Sequence, residues 1–132
     1  MSKTLKGLEN FDLCQRAWVE VSPAAIEANA RALKHLISAS CLLMAVVKAD
    51  GYGHGAETVA RAALRGGADN LGVATLQEGI ELRQSGLDCP ILVLGNLINA
   101  EELGACLHWE LMPTLSSLRE ALICQDLAEG YG

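Results

Sequence analysis

Four short apolar runs constrain this chain more than any other feature: CLLMAVV at 41–47, NLGVAT at 70–75, PILVLG at 90–95 and WELMPTL at 109–115. The first and third are nearly continuous rather than alternating, as expected of strands covered on both faces. A buried helical turn looks the same over so few residues, so the intervening segments decide the reading. Each carries helix start and stop signals. Ser22-Pro23 sets a cap and a first-turn proline before AAIEANARALKHLI, in which Ile26, Ala30, Leu33 and Ile37 share one helical face. The helix over 55–65 ends in Gly66-Gly67. Thr75 and Glu78 form a capping-box pattern before LQEGIELRQ, and Gly86 suits the position just past its end. Asn99, with Glu102 three residues on, caps a helix through Cys106. Ser117 with Glu120 repeats the box for a last helix that Gly130 can end.

Strand, helix and strand therefore alternate, and a helix in every gap forces parallel pairing with right-handed crossovers. Two α/β architectures satisfy this: an open doubly wound sheet, or part of a (β/α)8 barrel. Both bind ligands at the C-terminal ends of their strands. About four βα units are few for the first and half of the second, so the chain is expected to be truncated. RAWVEV at 16–21 also alternates like a strand but finds no antiparallel partner here.

Composition narrows the function. With 132 residues, 51% of them apolar and only 4% aromatic, the interior is aliphatic, which suits an α/β layer fold. The net charge of −6 leaves no basic surface to neutralise a phosphate backbone, so nucleic acid is not an expected partner. The opening MSKTLKGLENFDLCQR lacks an apolar signal core, and no apolar run approaches the about 20 residues of a membrane span. The five cysteines, Cys14, Cys41, Cys89, Cys106 and Cys124, stand apart without metal-ligand spacing. They are read as reduced thiols in the cytoplasm, mostly filling core positions. His35, His54 and His108 have no partner at i, i+4, so no metal site is expected.

Lys48 ends the first core run and is followed by Gly51, Tyr52, Gly53 and Gly55. A lysine there commonly extends its stem and keeps its amine in water. After a fully apolar run, however, the amine is expected to be partly desolvated, which would disfavour the ammonium and make the nitrogen a nucleophile toward carbonyls. The glycines accept positive φ and let backbone approach a ligand closely. The helix that follows presents free N–H groups suited to a phosphate. Tyr52 adds a hydroxyl donor. An amine that forms imines beside a phosphate-ready loop points to pyridoxal 5′-phosphate; a plain βα turn with a solvated lysine is the alternative.

The segments AWVEVSPAAIEANARAL, MAVVKADGYGHG and PILVLGN, in this order and at these distances, resemble the N-terminal part of bacterial alanine racemases over about residues 17–120. The resemblance implies a pyridoxal-phosphate (β/α)8 barrel followed by a β-rich domain, working as a homodimer. It implies a leader at 1–16, an incomplete barrel domain at 17–132, and a strand at 17–21 that pairs with the later β domain. Lys48 would carry the cofactor and act as one of two acid–base groups. Tyr52 would donate to the cofactor phosphate, and Leu94 would pack near the cofactor. Asp50, His54 and the glycines would shape the loop. The reaction implied is racemisation of L- and D-alanine, supplying D-alanine for peptidoglycan. The second base, a tyrosine given across the dimer, belongs to a later region of the family sequence. The isolated chain is therefore expected to show little activity and to associate through its bare sheet. Two other readings stand beside this one: a non-catalytic pyridoxal-phosphate-binding or regulatory partial barrel, and a βα module without cofactor.

Overall fold

The computed structural model describes residues 18–131. Their elements run α1 (Pro23–Leu36), β1 (Met44–Val46), α2 (Lys48–Gly53), α3 (Ala56–Arg65), β2 (Asn70–Val73), α4 (Leu76–Gln84), β3 (Ile91–Asn96), α5 (Ala100–His108), β4 (Met112–Thr114) and α6 (Leu118–Tyr131). The four strands form one sheet in the order β1-β2-β3-β4, and every pairing is parallel. Each strand lies beside its sequence neighbour, as in a barrel wall and unlike a doubly wound sheet, whose strand order reverses.

The start signals act as expected. Ser22 Oγ accepts from Ala25 N at 3.3 Å, with Pro23 in the first turn of α1. Thr75 Oγ1 accepts from Glu78 N at 3.2 Å, and the Glu78 carboxylate returns the bond to Thr75 N. Asn99 Oδ1 accepts from Glu102 N at 2.8 Å. Gly86, at φ 83°, closes α4 with Leu87 N donating to Leu82 O. Ser117 Oγ accepts from Glu120 N, but Glu120 reaches back to the amide of Ser116, one residue earlier than the pattern implies.

The strands are shorter than their apolar runs. Cys41 and Leu42 are exposed ahead of β1, and Thr75 leaves β2 to cap α4. Trp109 and Glu110 form the turn that ends α5, with Glu110 at φ 51°, so α5 reaches His108 and β4 starts at Met112. Gly130 lies inside α6 and does not end it. Residues 18–22 belong to no strand, and Trp18 and Val19 are exposed; Arg16 and Ala17 lie outside the described residues, as do the leader at 1–16 and Cys14.

The sheet separates two faces. Ala45, Leu71, Val73, Ile91 and Val93 share the face beneath the helices, and the core forms there with Leu82, Leu103, Cys106 and Leu111. The alternate residues Met44, Val46, Gly72, Leu92, Leu94 and Met112 share the other face, where Val46, Leu94 and Met112 are exposed. That bare apolar face is the inner wall of a barrel of which four strands are present. Packing of α1 on α3 depends on Gly66, where a Cβ would strike Glu27 O and come within 2.6 Å of Ala30 Cβ.

Candidate functional site

Past the C-terminal ends of β2 and β3 lies a cleft of about 460 Å³ between the start of α4 and the approach to α5, lined by Ala74, Gln77, Ile80, Asn96, Leu97 and Glu102 and not by Lys48. Lys48 stands at the same end. The β1–β2 register ends at Val46↔Gly72, with Val47 N donating to Gly72 O, and Lys48 follows as the first residue of α2. Strand alternation puts Leu94 on the face that carries Met44 and Val46. Side chains close over Gly72 on that face: a Cβ there would meet Met44 Sδ at 3.3 Å, Val46 Cγ2 at 3.4 Å and Leu94 Cδ1 at 3.5 Å. Lys48 is half-buried, and among the described residues it makes no ion pair.

The segment after Lys48 departs from every ordinary turn. Ala49, Asp50, Gly51 and Tyr52 all lie in the left-handed region, with φ between 50° and 60°, forming one left-handed helical turn. Side chains with a Cβ cost about 1–2 kcal/mol each in this conformation, and such residues persist only where their surroundings hold them. The holding bonds are explicit. Asp50 Oδ1 accepts from Ala56 N at 2.7 Å, Gly51 N donates to Val47 O at 2.9 Å, and Gly55 N donates to Asp50 O at 2.9 Å. His54 Nδ1 lies 3.1 Å from Gly51 O and 3.0 Å from Tyr52 O. Glu78 Oε1 accepts from Ala49 N at 2.8 Å. Gly51 has no alternative at its position, since a Cβ would lie 2.9 Å from Val59 Cγ2.

The sequence thus signals the loop's three positive-φ glycines, at 60°, 81° and 87°, but not the three residues with side chains that join them. At the start of α3 the leading amide, Ala56 N, is taken by the Asp50 carboxylate, and the acidic Glu57 follows. Tyr52 remains available: the residue is 59% exposed, and among the described residues its hydroxyl has no hydrogen-bond partner. Leu94 is 40% exposed on the bare face. Glu78 is the residue that the sequence reading gave only a capping role.

Carboxylates elsewhere brace the frame. Glu120 is 7% exposed and accepts from Ser116 N at 2.7 Å, Ser116 Oγ at 3.1 Å and Asn96 Nδ2 at 3.3 Å. The Ser116 amide, followed by the Asn96 and serine contacts, holds its carboxyl below the usual range. Arg83 donates to the carbonyls of Leu87, Cys89, Trp109 and Glu110, tying the end of α4 to the turn before β4.

The alanine racemase N-terminal domain pattern matches residues 21–132. The chain belongs to that family. It is 67% identical to the alanine racemase of Prochlorococcus marinus over 131 residues, covering 99% of this chain and 34% of that protein. It is 51% identical over 113 residues to the alanine racemase of Synechocystis, covering 86% of this chain and 30% of the relative. Among solved structures, the Bacillus anthracis alanine racemase with bound L-Ala-P matches with a TM-score of 0.77 at 34% identity, over 86% of this chain and 29% of that one. A histidine racemase from Leuconostoc mesenteroides matches with a TM-score of 0.73 at 27% identity, over 85% of this chain and 30% of that one. The chain spans about a third of the length of these relatives. Its parallel sheet is the N-terminal part of the alanine racemase barrel.

Proposed function

We propose that this chain supplies the cofactor lysine of a pyridoxal-phosphate-dependent racemase that interconverts L- and D-alanine. The observation that carries the reading is the placement of Lys48, half-buried just past the C-terminal end of β1, within a chain of the alanine racemase family. The donor set suits the cofactor. Lys48 offers a primary amine, Tyr52 an uncommitted hydroxyl that can donate to a phosphate oxygen, and Leu94 with Val46 an exposed apolar wall for a flat ring. Bound pyridoxal phosphate supplies an aldehyde for the amine and an electron sink for negative charge at the substrate Cα.

The chain's own residues then divide the work. Once freed by substrate, the Lys48 amine takes a proton from Cα on one face of the amino acid and returns it there in the reverse direction. The left-handed turn aims that amine, and Tyr52 orients the phosphate end. A proton must also come and go on the opposite face. That second base is proposed to be a tyrosine in a later region of the whole protein, given across a homodimer interface. The product is assigned to peptidoglycan synthesis, and unpaired thiols at Cys41, Cys89, Cys106 and Cys124 favour a cytoplasmic setting.

Borohydride reduction of the intact protein with pyridoxal phosphate, followed by peptide mass spectrometry, tests the assignment. The adduct is expected at position 48 and is lost in Lys48→Ala. Racemisation of alanine in that variant should fall by at least about 10²–10⁴, the contribution of a positioned acid–base group. A panel including histidine and serine tests the substrate, because the Leuconostoc relative shows a histidine racemase on the same fold. An adduct at another lysine would end the proposal, and faster turnover of histidine than of alanine would replace the substrate.

A further inference from the structure

Glu78 does more than its cap requires. In a capping box the glutamate returns one bond, to the N-cap amide. Here Oε2 accepts from Ala74 N at 2.7 Å and from Thr75 N at 3.3 Å, while Oε1 accepts from Ala49 N at 2.8 Å. One carboxylate therefore gathers amides from two chain segments, the end of β2 and the left-handed turn. The other bonds that hold this turn, from Gly51 N to Val47 O and from Ala56 N to Asp50 Oδ1, are local; Glu78 reaches it from 29 residues away.

The Ala49 N–H belongs to the peptide unit that also contains the Lys48 Cα and carbonyl, and those atoms are coplanar. Anchoring that N–H fixes the plane from which the Lys48 side chain departs. Bonds to an ionised acceptor are roughly twice as strong as neutral ones. Glu78 thus orients the peptide next to Lys48 against the neighbouring strand, without touching the amine.

We propose that Glu78 is a positioning residue for Lys48, setting how readily its amine attaches to the aldehyde of pyridoxal phosphate. This rests on the assignment of Lys48 as the cofactor lysine. In the attachment, the neutral Nζ adds to the aldehyde carbon, a carbon–nitrogen double bond forms, and the aldehyde oxygen leaves as water with no change of oxidation state.

The test compares two variants of the intact protein. Glu78→Gln keeps the shape but turns one accepting oxygen into a donating NH2, so it cannot serve both segments. Thr75→Ala removes the other half of the same capping box and leaves the bond to Ala49 untouched. Glu78→Gln should accelerate hydrogen exchange at the Ala49 amide. It should also raise the pyridoxal-phosphate dissociation constant at least about tenfold and move the pH midpoint of the bound cofactor's visible absorbance. Thr75→Ala should lower the melting temperature yet keep the wild-type dissociation constant and midpoint. If Glu78→Gln does not fold, Glu78→Asp, which keeps the charge but not the reach, takes its place. Wild-type binding and midpoint in the Glu78 variant, or equal changes in Thr75→Ala, overturn the proposal. If wild-type protein attaches no cofactor at position 48, the Lys48 assignment fails and takes this proposal with it; that result is read without any Glu78 variant.

Discussion

The Lys34 ammonium lies 2.6 Å from Asp69 Oδ2, joining the last turn of α1 to the residue before β2. The same oxygen accepts from Leu43 N at 2.7 Å, so one carboxylate ties the approaches to β1 and β2 together. The lysine contact first, and the Leu43 amide second, hold this carboxyl below the ordinary aspartate range. Because the folded value lies below the unfolded one, about 3.9, the stabilisation is fully present above that pH. It is lost as pH falls through the depressed folded value. Asp69→Asn should lower the urea midpoint at neutral pH and flatten its fall in acid. Parallel curves for variant and wild type from pH 7 to pH 2 would show that the contact contributes nothing.

Gly66→Ala should destabilise the protein by about 1–3 kcal/mol, the usual cost of overpacking. The added carbon meets the Glu27 carbonyl and Ala30 Cβ, parts of α1 that cannot swing aside. Chemical denaturation measures the loss. An unchanged midpoint would mean that α1 and α3 separate freely.

Cys106 is buried, and burial first, with Cys124 second, pushes its thiol up to about 11. Iodoacetamide attacks thiolates, so Cys106 should stay unmodified at pH 8 while exposed Cys41 is alkylated. Peptide mapping after timed labelling reads both sites. Equal rates at the two positions would contradict this packing of α5 against α6.

Asp50→Ala should cost about 1 kcal/mol, the typical value of a lost helix cap, because Ala56 N loses its acceptor. Asp50→Asn keeps an accepting oxygen and should lose less. Thermal melts of both variants order them, and an alanine variant as stable as wild type would show that water replaces the carboxylate without penalty.

Much of this architecture is legible in the residues themselves. The caps at Ser22, Thr75 and Asn99 announce their helices because a side-chain oxygen three residues before an orphan amide is a local requirement. The apolar runs announce the strands but not their ends. Cys41 and Leu42 belong to the same run as buried residues, and only the path of the chain decides that they turn away. Lys48 stands out because an amine closes a greasy run. The left-handed conformation of Ala49, Asp50 and Tyr52 is not announced by side-chain type, since it depends on a web of local bonds and on one partner, Glu78, distant in sequence. Glu78 is half legible for the same reason: T-x-x-E reveals the bond to its own helix, whereas the bond to Ala49 exists only after β1 and β2 lie side by side.

The outermost ribbons, β1 and β4, are three residues each. In the barrel to which this sheet belongs, they are the two margins that neighbouring strands must join, so their free amides and carbonyls are seats for strands of the same wall. The naked hydrophobic surface between them is what that closure encloses.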